Sequence, residues 1–118
     1  MSNTFFGISV DCGDAVALAG FWGAALGRHV EDGATAEHAV LLANERPDSG
    51  PRLAFHRVPE AKVVKNRLHL DLVSDHPLAE AERLVNLGAW KVRDVREGDA
   101  RWTTFADIEG NEFDLIDG

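Results

Sequence analysis

Residues 66–73 read NRLHLDLV. Leu68, Leu70 and Leu72 alternate with Arg67, His69 and Asp71. Period two is the spacing of a strand, in which successive side chains point to opposite faces. The leucines are therefore expected on a helix-packed layer. The other face carries a guanidinium, an imidazole and a carboxylate, so it either meets solvent or lines a site. In the second case Arg67 and His69, about 6.6 Å apart along the strand, can flank one small carboxylate or phosphate group.

Working outward from this stretch, Asp75, His76 and Pro77 open a helix with Asp75 as its acidic cap. Leu78, Ala81, Leu84 and Val85 recur at helical spacing along it, and Gly88 ends it. Three further strands are expected at WKVRDV, RWTTFA and NEFDLI, with REGDA and DIEGN as turns. The first half follows the same plan. FFGISVD reads as a strand, Asp14 caps the helix AVALAGFWGAAL, and Gly27 closes it. Strands are then expected around RHVED, around EHAVLLA and at PRLAFHRV, the last two separated by the turn-rich NERPDSG. Asp14 and Gly27 stand 61 residues before Asp75 and Gly88, so the chain reads as a duplicated unit.

Composition narrows the function classes. A chain of 118 residues is most economically one domain, with repeat units at about 4–58 and 66–117. A net charge of -8 disfavours nucleic acid, which needs a concentrated basic face. Cys12 is the single cysteine, which leaves no intrachain disulfide and no cysteine-based zinc site. The N-terminal stretch lacks a basic region followed by a long apolar one, and no apolar run reaches the roughly 20 residues a bilayer requires. No membrane partner and a cytoplasmic location are the expectations.

The segments DCGDAVALAGFWGAALG, NRLHLDLVSD and DIEGNEFDLID resemble the vicinal oxygen chelate superfamily of glyoxalases, bleomycin-resistance proteins and extradiol dioxygenases. The resemblance spans essentially the whole chain and is nearest to compact bacterial glyoxalase-like proteins. It implies an α+β fold of two βαβββ units that form a curved mixed sheet with a concave cleft and helices outside. It also implies a small-molecule ligand and a homodimer.

Superfamily members usually hold a divalent metal through residues on the first and last strand of each unit. Carried over, the second unit supplies His69 and Asp114, while the first-unit positions fall on Gly7 and near Ala54, which cannot ligate through side chains. The set is incomplete, so tightly bound stoichiometric nickel or zinc is not expected. A two-residue slip along the fourth strand would present His56 instead, and His56, His69 and Asp114 would suit a non-haem metal. The alternative leaves His56 at a rim.

Asp71 shares the face of His69 and either orients it as a general acid or base or simply pairs with it. Glu112 faces the cleft by alternation with Phe113. Trp102 either stacks on a flat ligand or packs in the core. Lys62, Lys65, Arg67, Arg52 and Arg57 concentrate positive charge, either around a cleft mouth that favours an anionic ligand or along a solvated linker. Two functions follow from the resemblance: an isomerase, lyase or dioxygenase acting on a small organic compound, or a non-catalytic drug or metabolite binder.

Overall fold

A computed structural model describes residues 2–43 and 50–118. The expected NERPDSG loop lies almost wholly outside the described residues. The chain divides into two compact units, Met1–Ala61 and Lys62–Gly118. Among the described residues they contain two mixed sheets and two helices, an α+β fold built on the βαβββ plan.

The first unit runs β1 (Gly7–Cys12), α1 (Ala15–Leu26), β2 (His38–Leu41) and β3 (Arg52–Arg57). Its sheet has the order β1-β3-β2, with β1 parallel and β2 antiparallel to β3. The expected strand around RHVED is reduced to one bridge, Val30 to Leu41. Helix α1 begins where the Asp14 carboxylate accepts from the Ala17 N–H at 3.2 Å, and ends at Gly27, whose φ of 65° is left-handed. Leu18, Phe21, Trp22 and Ala25 form its buried face against β2 and β3. Trp22 is thus helix packing, edge-on to Phe21. Just beyond the helix, buried Arg28 donates from Nε to the Leu42 carbonyl at 2.9 Å and from its guanidinium to the Leu41 carbonyl at 2.9 Å.

The second unit runs β4 (Asp71–Ser74), α2 (Pro77–Leu87), β5 (Trp90–Glu97), β6 (Ala100–Ala106) and β7 (Glu112–Asp117), in the sheet order β4-β7-β6-β5. Its core centres on Leu84, Leu115 and the stacked Phe105–Phe113 pair, whose ring centroids are 5.7 Å apart. No helix among the described residues is long and apolar enough to cross a membrane.

Three local expectations are corrected here. The chain bends at Arg67 and Leu68, so regular pairing begins only at Asp71 and Leu68 is 87% exposed. Leu70 and Leu72, by contrast, are half-buried. The helix α2 cap is His76, not Asp75, and it makes no side-chain cap; Pro77 at the first helical position fixes the start instead. The inward face of α2 is rotated about Leu84, so Leu78 is 88% exposed and Val85 is also exposed.

The turn from β6 to β7 is held from inside. Asp107, 1% exposed, accepts through Oδ1 from the backbone N–H groups of Glu109 at 2.9 Å and Asn111 at 3.0 Å. Its Oδ2 accepts from Asn111 Nδ2 at 3.1 Å. Truncation would leave buried donors without acceptors, so Asp107→Ala should destabilise the protein by roughly 2–3 kcal/mol. Denaturant melts would show this, and a loss below about 0.5 kcal/mol would mean that water replaces the carboxylate.

Candidate functional site

The site follows from two registers in the second unit. Strands β4 and β7 are parallel, with Asp71 opposite Asp114 and Leu72 opposite Leu115. The Asp114 N–H donates to the Leu70 carbonyl at 3.0 Å, which carries the pairing back toward His69. Alternation then sends Leu70 and Leu72 to one side and His69 and Asp71 to the other. Strands β7 and β6 are antiparallel, with Thr104 opposite Asp114. A bulge between Lys91 and Arg93 sets Arg93 opposite Thr104 and Val95 opposite Trp102. Two rows therefore cross the sheet face: polar Asp71, Asp114, Thr104 and Arg93, and beside it the less polar Val73, Ile116, Trp102 and Val95.

The side chains converge. His69 Nδ1 lies 3.2 Å from Asp71 Oδ1 and 3.6 Å from Asp114 Oδ2. One potential ligand atom from each of the three residues lies within 4.8 Å of the others. Asp114 is the most enclosed of them, and the Thr104 hydroxyl donates to its Oδ1 at 2.6 Å, which fixes the carboxylate while Oδ2 faces the imidazole. A ring nitrogen between two carboxylates either directs its proton at one of them or gives its lone pair to a cation held by all three.

Next to this cluster is a cavity of 380 Å³ lined by Lys65, Arg93, Trp102 and Glu112, with His69 and Asp114 at its polar end. The Glu112 carboxylate accepts from Lys65 Nζ at 2.6 Å and stands 3.7 Å from Arg93. The Lys65 hydrogen bond is the largest influence holding the Glu112 carboxyl below its ordinary pKa, against the opposing cost of burial. The approach to His69 is anchored as well: Asn66 Nδ2 donates at 3.1 Å to Asn111 Oδ1, in the turn that Asp107 holds.

The residues singled out from the sequence are distributed as follows. His69, Asp71 and Asp114 come together, and Trp102 and Glu112 line the adjoining cavity. Arg67 precedes β4, at the bend, and does not line that cavity; Lys65 and Arg93 supply its cations. His56 lies on β3 of the first unit, directly opposite His38. Asp71, expected as a partner for His69, is also brought beside Asp114 by the parallel register. Arg93 and Thr104 join them without a signal in the sequence. Arg93 in particular depends on a bulge that alternation along WKVRDV does not announce.

The three equivalent positions of the first unit lack ligating side chains suited to this cluster. Ser9 lies opposite Ala54 on β1 and β3 just as Asp71 lies opposite Asp114, which makes Gly7 the counterpart of His69. A Cβ on Gly7 would stand 2.7 Å from the Arg52 carbonyl oxygen, so no side chain fits there without moving backbone. Ala54 is buried.

The fold is shared with known proteins. Residues 7–116 match the glyoxalase-like domain family, and the chain belongs to it, within the vicinal oxygen chelate superfamily. No curated protein sequence matches significantly. Among solved structures, a mutant of the fosfomycin resistance protein FosX from Listeria monocytogenes, complexed with Mn(II) and 1S,2S-dihydroxypropylphosphonic acid, is similar with a TM-score of 0.77 and 14% identity. That match covers 98% of this chain and 90% of that one. FosX from Mesorhizobium loti is similar with a TM-score of 0.73 and 16% identity, covering 100% and 94%. A glyoxalase-related enzyme from Fulvimarina pelagi is similar with a TM-score of 0.72 and 19% identity, covering 99% and 89%. At these identities the likeness is one of fold.

If Lys65 holds Glu112 ionised, Lys65→Met should raise the Glu112 pKa toward the ordinary glutamate value. Stability associated with this pair is present above the unfolded-state pKa and declines as pH falls through the depressed folded value. Carboxyl-carbon NMR titration of the variant would test this, and an unchanged Glu112 midpoint would assign the depression to Arg93 instead.

Proposed function

We propose that the chain is a metal-assisted enzyme acting on a small anionic organic compound, of the isomerase, lyase or dioxygenase type. The observation that carries this reading is the convergence of His69, Asp71 and Asp114 beside the cavity. One imidazole nitrogen and two carboxylates suit an oxygen-preferring divalent ion such as Mn(II) or Fe(II) better than a thiophilic one. The Listeria FosX neighbour, which was solved with Mn(II) and a phosphonate, supports the pairing of such an ion with an anionic ligand. When bound, the ion would polarise an oxygen of the substrate.

The chain's own residues divide the remaining work. Thr104 holds Asp114 in its orientation. Trp102 and Val95 offer an apolar wall to the body of the ligand. Lys65 and Arg93 attract its charged end, although Glu112 offsets part of that attraction. Asp71 is the more exposed of the two carboxylates near His69 and would complete the cation's protein ligands from the solvent side.

The charges set a condition on this proposal. Lys65 and Arg93 face three acidic groups, Asp71, Glu112 and Asp114, and without a cation the cluster repels an anion. A divalent ion reverses that sign. Mn(II) should therefore tighten a small alkylphosphonate by at least about tenfold, and the phosphonate should tighten Mn(II) by the same factor. A neutral analogue of the same shape should gain much less. Calorimetry with and without Mn(II) checks this, and equal affinities in both conditions would refute a metal-assisted site. Binding without turnover across such ligands would favour the non-catalytic binder.

A homodimer in the cytoplasm belongs to the same proposal. Strands β1 and β4 each have one neighbour in their own sheet, and Phe5, Phe6 and Leu78 are exposed, which supports coverage by a second copy. Light scattering should give twice the chain mass, and a monomer at all concentrations would refute it.

A further inference from the structure

The first unit carries a second constellation that the reading above does not use. His38 on β2 and His56 on β3 are directly opposed in the antiparallel register, with ring centroids 4.9 Å apart and planes tilted by 45°. The Arg57 N–H donates to the Glu37 carbonyl at 2.9 Å, which makes His38–His56 the neighbouring pair without mutual backbone hydrogen bonds. In such a pair the Cα atoms stand about 4.5 Å apart and the side chains are at their closest. From the other side of β3, Asp11 is the parallel partner of His56. Asp11, His56 and His38 thus form one lateral row across the unit's three strands, on the face opposite buried Phe55 and Ala39.

Two features separate this pair from an ordinary core contact. His38 is exposed and His56 half-buried, so both rings are reachable from solvent. Among the described residues, the contact between the two rings is the interaction their side chains make, which leaves the ring nitrogens available. Adjacent imidazoles on a rigid ladder are a chelate whose ordering cost folding has already met. Their softness contrasts with the oxygen-rich cluster of the second unit.

We propose that His38 and His56 form a second metal site, selective for imidazole-preferring ions such as Cu(II), Ni(II) or Zn(II), with Asp11 as an outer acidic partner. The ion takes one nitrogen lone pair from each ring, and water completes its coordination. Each ring binds through an unprotonated nitrogen, so protons compete with the ion. Bound there, the ion ties β2 to β3. The site is independent of the reading of His69, Asp71 and Asp114.

The test is Ni(II) titration of full-length His69→Ala protein, in which the second-unit cluster has lost its nitrogen. One equivalent should bind and raise the melting temperature. Adding His38→Ala or His56→Ala should each weaken that binding by at least about tenfold, since losing a direct ligand costs no less than losing a supporting one. Both should also abolish the thermal shift. Asp11→Asn should weaken binding by less than either histidine change. Circular dichroism of the metal-free variants separates lost binding from lost folding, and His38→Gln offers a milder change at the exposed position. Ni(II) affinity that stays within threefold after His38→Ala and His38→Gln would overturn the proposal, as would the absence of any binding to the His69→Ala protein.

Discussion

The parallel pairing of β4 with β7 is the constraint on which the site depends. It sets Asp71 beside Asp114, and strand alternation then delivers His69 to the same face. A slip of one residue along β7 would exchange Asp114 for Phe113 or Leu115, burying a carboxylate and exposing the core. Buried Phe113 and Leu115 therefore hold the chemistry in place as well as the fold. Thr104 and the turn held by Asp107 work in the same direction, one fixing the carboxylate and the other the point where β7 begins.

The two units show what a duplicated architecture keeps and what it releases. Both have a helix closed by glycine and a first strand parallel to the last. In the second unit the facing positions bear His69, Asp71 and Asp114; in the first they bear Gly7, Ser9 and Ala54. The Arg52 carbonyl stands close against Gly7, so the strand spacing there leaves no room for a ligating side chain. The donors of the second unit come from that unit alone.

Much of this was legible in the sequence because strand alternation and helix punctuation are local signals. The first strand, the capped α1, the shared face of His69 and Asp71, the outward turn of Asp114 and the core role of Phe113 follow from periods of two or 3.6 residues and from cap residues. Failures occurred where tertiary geometry took over. Arg67 continues the alternation of NRLHLDLV on paper, but the chain bends before β4 and the cation duty passes to Lys65 and Arg93. Arg93 reaches the face through a bulge; straight pairing would have placed Val92 opposite Thr104. Leu78 and Val85 fit a helical stripe, yet α2 meets its sheet around Leu84, and no single-helix pattern fixes that rotation.

The central claim is that one imidazole and two carboxylates of the second unit form the principal cation site. Pulsed electron paramagnetic resonance of the protein loaded with one equivalent of Mn(II) tests it most directly, because nitrogen couplings count the histidines bound. The account predicts a single imidazole nitrogen, absent in His69→Ala and retained in His56→Ala. Two coupled nitrogens, or one that survives His69→Ala, would contradict it.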